Sequence, residues 1–266
     1  MNTVWYTRKY ICRNGIEERT KFPVRIDSEK INTRKASVKV KRSSRACDNA
    51  ERQLARLLNN NFDAHKDSHI VLEYDEKGMQ KVEKRAMKLL ETGEYESMED
   101  CLHFAAQKEA ENFIRRIQRA KGDITLLYVF ITSDMDGETG EMVRLHHHMV
   151  INSEALEIAL SKWNRGYIHV DELYAHRGDF SCLASYLLKQ VRYIMNAKRY
   201  TPSRTLQQPY ISEPMLVSRF GESEMKTPSG CIELYRSAYV RGNAQYLRYY
   251  RPPQELSDST KARLRA

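Results

Sequence analysis

The chain has 266 residues, 41% hydrophobic and 30% charged, with a net charge of +9. That apolar fraction can bury a core and excludes wholesale disorder, and no run approaches the roughly 18 apolar residues of a membrane span. The charge is uneven, +8 over residues 1–68, −5 over 69–170 and +6 over 171–266, so basic ends suited to a polyanion flank an acidic middle.

Residues 1–15 contain no apolar signal core. The five cysteines, Cys12, Cys47, Cys101, Cys182 and Cys231, stand alone, without the spacing of a disulfide framework or a zinc ribbon. The expectation is a soluble protein of a reducing cytoplasm. Residues 4–26 read as a hairpin turning at Asn14-Gly15. Residues 27–46 are charged and poor in core residues, and read as a basic arm. Asp48 is a candidate cap for a short helix carrying Leu54, Leu57 and Leu58.

His69 to Tyr74 is a β-rich run. Helix follows to about Lys121, broken at Gly93 and restarted by the Ser97-x-x-Asp100 capping pattern. Ile124 to Thr132 is nearly all apolar, as in a strand covered on both faces. Asp136-Gly137 and Gly140 make a hairpin loop, and Arg144 to Ile151 is the return strand. A short helix with Leu156, Ala159, Leu160 and Trp163 ends at Gly166, and YIHVDEL alternates as a strand. Asp179 caps a helix expected to reach about Asn196. Short strands near 215–220 and a hairpin at Gly242-Asn243 close the chain. The order from residue 69, β-α-β-β-α-β-α, predicts an α+β fold: an antiparallel sheet with flanking helices and a ferredoxin-like or RNA-recognition-like core.

Two patterns carry chemistry. Side chains alternate along a strand, so His146 and His148 share one face, while His147 points away with Leu145, Met149 and Ile151. Two imidazoles on one face can converge on a metal ion. In the helix after Asp179, Phe180, Leu183, Leu187, Val191 and Ile194 form the packing stripe. Tyr186, Lys189 and Tyr193 lie together at its border, with Cys182 beside them, placing a phenol next to an ammonium.

An H-x-H strand followed by a Y-x-x-K helix resembles the HUH endonuclease superfamily, and within it the rolling-circle replication initiators of phages, plasmids and related mobile elements. The segments carrying the resemblance include YICRNGIEERTKFPV, HIVLEYDE, RLHHHMVIN, ASYLLKQVRY, YTPSRTLQQP and QYLRYYRPP. It implies three parts: residues 1–66 as hairpin, arm and short helix, 67–200 as the endonuclease core, and 201–266 as an extension whose strands pack on that core. It also implies metal-dependent nicking and rejoining of single-stranded origin DNA in a bacterial cytoplasm. His146 and His148 would hold Mg²⁺ or Mn²⁺, which polarises the scissile phosphate. Tyr186 would attack phosphorus to give a 5′-phosphotyrosine and a free 3′-OH, with Lys189 orienting it. Relatives place a Glu near the position of Ser133. Here Asp134 is the nearest carboxylate and the expected third ligand, with Glu138 and Glu141 as alternatives.

The basic residues Arg34, Lys35, Lys39, Lys41 and Arg42 of the arm, with Arg192 and Arg204, are the expected DNA contacts. No P-loop is present, so unwinding would need a host helicase or negative supercoiling. Two other readings compete. One is a non-enzymatic nucleic-acid-binding sheet stacking bases on Tyr128, Phe130 and Tyr167. The other is a relaxase or single-strand transposase of the same superfamily.

Overall fold

A computed structural model of the chain describes residues 2–26, 44–93, 95, 97–192, 194, 198–218, 224–238 and 244–253. Strands β1 (Asn2–Ile11) and β2 (Ile16–Ile26) pair antiparallel from Asn2 opposite Ile26 to Ile11 opposite Glu17. Gly15 turns the hairpin at a φ of 86°. A Cβ there would also fall 2.5 Å from the Arg251 carbonyl oxygen, so the position demands glycine on two counts. Helix α1 (Ser44–Asn61) comes next, then strand β3 (Ser68–Glu73). Helix α2 (Glu76–Glu91) is capped by Asp75, whose side chain accepts from the Gly78 amide. The expected Ser97 cap is present at α3 (Met98–Ala120), where its side chain accepts from the Asp100 amide.

Strand β4 (Tyr128–Met135) starts four residues later than the apolar run and ends three residues later. Strand β5 (Met142–Ile151) carries the histidines. Helix α4 (Ser153–Lys162), strand β6 (Ile168–Glu172) and helix α5 (Ser181–Lys189) complete the expected order. Five short strands follow: β7 (Thr201–Pro202), β8 (Tyr210–Ile211), β9 (Met215–Ser218), β10 (Ile232–Ala238) and β11 (Gln245–Tyr250). The Gly242-Asn243 turn lies outside the described residues.

The fold is α+β, with antiparallel sheets and flanking helices, as expected. Its division differs from the three segments read from the sequence, 1–66, 67–200 and 201–266. The chain forms two units, Met1–Asn49 with Gln208–Ala266, and Ala50–Gln207. In the first unit the late strands complete the N-terminal hairpin: β11 pairs with β2, β10 with β11, and β8 and β9 with β1. A hairpin alone leaves two open edges and is marginal in water. Buried Glu17 fastens the pairing, accepting from the Tyr249 hydroxyl and from Arg251 Nε, both at 2.6 Å.

The second unit holds a five-stranded antiparallel sheet in the order β6-β3-β5-β4-β7. Its first four strands in sequence, β3, β4, β5 and β6, take the spatial order 4-1-3-2, the arrangement of a ferredoxin-like β-α-β-β-α-β fold. One face carries Ile70, Leu72, Tyr128, Phe130, Met149 and Ile151 and packs on α2, α3 and α4. The other carries Val129, Ile131 and Val150 and packs on α1 and α5 through Leu54, Leu58, Leu183 and Leu187. Two covered faces explain why β4 reads as a continuous apolar run. They also remove the open stacking platform of the non-enzymatic reading: Tyr128 and Phe130 are buried under α3, and of its three aromatics only Tyr167 is exposed.

Alternation along β5 holds. His147 is fully buried on the α3–α4 side, where its Nε2 lies 2.6 Å from the Tyr74 hydroxyl and its Nδ1 3.1 Å from Thr132 Oγ1. His147→Ala would open a cavity and orphan the Tyr74 hydroxyl. We expect a loss of about 2–4 kcal/mol in urea unfolding. A loss below about 1 kcal/mol would contradict this buried network.

Helix α5 ends at Lys189, seven residues short of the expected Asn196. The Gln190 carbonyl, which a continuing helix would bond internally, instead accepts from the β4 amides of Asp134 and Met135 at 3.3 and 3.2 Å. A register shift between Ser133 and Met135 leaves those amides free to do so.

Candidate functional site

Strand register builds the site. His146 lies opposite Glu73 on β3 and Ser133 on β4, and His148 lies opposite Val71 and Ile131. All of these share the sheet face covered by α5. There Tyr186 and Gln190 close a cavity of about 310 Å³ with Val71, Glu73, Arg144, Leu145, His146 and His148. The Tyr186 ring centre is 6.0 Å from that of His148, and the residue is 53% exposed, so its phenol is open to a ligand. Gly166 packs against the backbone at the end of β3, next to Glu73 of the cavity lining. At φ 152° it lets the backbone before β6 run against the end of β3, where a Cβ would sit 2.3 Å from the Glu73 carbonyl oxygen.

Three donor atoms meet in the cavity. His146 Nε2 and His148 Nε2 are 3.1 Å apart, and Gln190 Oε1 is 3.2 Å from His148 Nε2. Two ligands each about 2.1 Å from an octahedral ion lie about 3.0 Å apart, so the spacing suits one cation. The protons agree. His146 Nδ1 is 2.9 Å from the Arg144 carbonyl, which can only accept, so the proton sits on Nδ1 and Nε2 keeps its lone pair. The Gln190 amide nitrogen donates to the Tyr186 carbonyl at 3.4 Å, which turns the oxygen toward His148.

His148 Nδ1 lies 3.0 Å from His69 Nε2, and His69 Nδ1 lies 3.9 Å from Asp171 Oδ2. A proton on His148 Nδ1 is therefore accepted by His69, which frees Nε2 as a ligand. Metal-binding histidines are held by outer-shell partners of this kind. The residues present thus fit a divalent cation bound by two imidazoles and an amide oxygen, a set suited to Mn²⁺ or Mg²⁺, with Zn²⁺ also compatible. Among the described residues, no group of three His, Cys, Asp or Glu side chains is placed to hold a metal. The Gln190 amide oxygen would be the third donor.

Burial, with His146 and His69 nearby, pushes the His148 pKa down to about 3. Burial also lowers His69, against the pull of Asp171, and lowers His147 far below the usual imidazole range. A folded-state pKa below the unfolded value means that the unfolded chain binds more protons as pH falls through about 6.5. The metal-free protein should therefore lose stability as pH falls from about 6.5 towards 5, His148 contributing at most roughly 1.4 kcal/mol per pH unit and His69 and His147 acting in the same direction. Calorimetry in EDTA checks this, and a melting temperature unchanged between pH 7 and 5 would contradict it.

The expected residues separate. His146, His148 and Tyr186 come together. Lys189 is exposed and does not line the cavity, where the cation is Arg144. Asp134 is not brought to the histidines. It shares the sheet face of Tyr128, Phe130 and Thr132, where its carboxylate lies 3.3 Å from His103 Nδ1 and 3.3 Å from Arg192 Nε. Burial works to raise its pKa, but His103 and Arg192 outweigh it and hold the carboxyl below its usual range. Glu138 and Glu141 are exposed in the β4–β5 loop and line no part of the cavity.

Arg192 is tied to Asp134 and, at 3.1 Å, to Asp100, so it is not a free DNA contact. Arg204 is exposed and lies away from the histidine cavity. Arg34, Lys35, Lys39, Lys41, Arg42 and Tyr193 lie outside the described residues.

Four cavity or supporting residues escaped the sequence reading: Glu73, Arg144, Gln190 and His69. Arg144 had a local signal, sharing strand parity with His146 and His148. Gln190 had a weaker one, one helical turn after Tyr186.

Comparison with family models, curated proteins and solved structures gives no match. No helix among the described residues is long and apolar enough to cross a membrane.

Proposed function

We propose that this chain nicks and rejoins single-stranded DNA through a tyrosine nucleophile beside a divalent metal, as a rolling-circle replication initiator does. The observation that carries this reading is the shared cavity. The exposed phenol of Tyr186 stands 6.0 Å, ring to ring, from His148, whose Nε2 faces His146 Nε2 and Gln190 Oε1. Phenol, imidazole pair and cation line one space, as phosphoryl transfer requires.

His146, His148 and Gln190 would hold Mg²⁺ or Mn²⁺, which when bound polarises the scissile phosphate as a Lewis acid. Arg144 brings positive charge to the cavity wall and counters the phosphate's negative charge. The Tyr186 oxygen forms a bond to phosphorus as it loses its proton. The bond to the 3′-oxygen breaks, and that oxygen takes up a proton, leaving a 5′-phosphotyrosine and a free 3′-OH. The linkage keeps the phosphodiester energy, so attack by a 3′-OH on the same site rejoins ends.

Replication origin DNA, a host helicase and a cytoplasmic, mobile-element setting belong to this proposal. The basic arm, with Arg34, Lys35, Lys39, Lys41 and Arg42, is its proposed backbone contact. Incubation with single-stranded candidate origin DNA tests the reading. Cleavage that needs Mn²⁺ or Mg²⁺ and stops with EDTA supports it, and cleavage indifferent to EDTA overturns the metal role.

A further inference from the structure

A second cavity, of about 740 Å³, lies on the opposite side of the same sheet, between α3 and the β4–β7 edge. Its volume falls in the range of small-molecule sites. Leu126 and Tyr128 line its buried part, and Arg115, Lys121, Lys198 and Arg204 also line it.

The four cations are not equivalent. Arg115 pairs with Glu111, the one carboxylate among the lining residues, at 3.7 Å. Lys121 donates to the carbonyls of Gly122 and Ile124, which fixes its ammonium in place. Lys198 and Arg204 are exposed and have no hydrogen bond or ion pair among the described residues. The phenol of Tyr128 is 7% exposed and likewise has no hydrogen-bond partner there. The charge of Arg204 acts on that phenol, opposing the rise in pKa that burial causes.

A phenol and two cations with no protein partner among the described residues, around a cleft with apolar walls, suit a ligand with an anionic end and a flat, partly apolar body. A cation pair recognises phosphate by charge-assisted hydrogen bonds, and an apolar aromatic wall suits a base. We propose that this cleft binds a nucleotide unit, with the phosphate between Lys198 and Arg204 and the base in the cleft at the small exposed edges of Leu126 and Tyr128. This is a single contact at the sheet edge and not an open stacking face. The proposal rests on the reading of single-stranded DNA as substrate and adds to it a second contact, across the sheet from the histidines. A mononucleotide and a nucleotide within a DNA strand share this chemistry, and the assay separates them.

The experiment measures binding alone, in EDTA and on a Tyr186→Phe background, so failure of the nicking chemistry leaves it interpretable. The probes are a labelled short oligothymidylate, read by fluorescence anisotropy, and deoxythymidine monophosphate, read by calorimetry. The variants are Lys198→Gln/Arg204→Gln, and Lys198→Glu/Arg204→Glu as a second pair should the first be indistinct. Circular dichroism confirms that each variant is folded.

Losing both contacts should weaken binding by about tenfold or more. It should also flatten the log-affinity against log-salt slope for the oligonucleotide by about 0.7, the contribution of the one phosphate held by the pair. Loss confined to the oligonucleotide assigns the cleft to the DNA strand, and loss for the monophosphate assigns it to free nucleotide. Unchanged affinity and slope for both probes in folded variants overturns the proposal, as does the absence of any binding by the parent protein.

Discussion

Tyr186→Phe is expected to form no covalent adduct with single-stranded DNA while retaining DNA binding within about twofold of the parent. The substitution removes one oxygen from a side chain that is 53% exposed and whose hydroxyl makes no hydrogen bond among the described residues. Folding and the metal donors should be untouched, so the loss would fall on bond formation to phosphorus. Denaturing electrophoresis after incubation with Mn²⁺ reads the adduct directly. A retained adduct would move the nucleophile elsewhere, with Tyr193 the first candidate.

The second large effect concerns the metal. His146→Ala and His148→Ala should each lower Mn²⁺ affinity by about a hundredfold or more, since each deletes a donor from the trio. Gln190→Ala should lower it by about tenfold, and Gln190→Glu should keep or strengthen it, because a carboxylate oxygen replaces the amide oxygen. Asp134→Ala should act more weakly. Its carboxylate lies away from the histidine pair, and its hold on Arg192 steadies the chain just after Gln190. Electron paramagnetic titration of Mn²⁺ reads all five proteins without reference to cleavage. An unchanged affinity in folded Gln190→Ala would hand the third position to Glu73, the carboxylate in the cavity wall.

These expectations mark how far the sequence could be read. Strand parity separated His146 and His148 from His147, because a period of two survives any detail of register. The same parity, carried along β4, puts Asp134 with Tyr128, Phe130 and Thr132, away from the histidine face. Proximity in sequence suggested a ligand where alternation argued against one. Of the stripe read as Phe180, Leu183, Leu187, Val191 and Ile194, the first four are buried, whereas Val191 and Ile194 lie beyond the end of α5 and Ile194 is only half-buried.

The end of α5 was not legible. Nothing local stops the helix at Lys189, and the competitor for the Gln190 carbonyl is a pair of amides from a strand more than fifty residues earlier. That contact also aims Gln190 at His148. Glu73 and His69 share the site face only through the β3–β5 register, which is a pairing between distant segments. The union of both chain ends in one sheet was hidden for the same reason: β2 and β11 are far apart in sequence and carry no mutual label. What sequence periodicity supplied was faces. What it lacked was the pairing of those faces.

The most direct measurement is to trap the protein on single-stranded origin DNA with Mn²⁺, digest with nuclease and trypsin, and find the modified peptide by mass spectrometry. Cleavage after Arg177, Lys189, Arg192 and Lys198 places Tyr186 alone among tyrosines in Gly178–Lys189, and puts Tyr193 in the separate segment 193–198. A nucleotide mass on Gly178–Lys189, absent when EDTA replaces Mn²⁺, is the expected result. DNA cleaved with no tyrosine peptide modified, or a mass on another tyrosine alone, would contradict a nucleophile at Tyr186 beside the histidine pair.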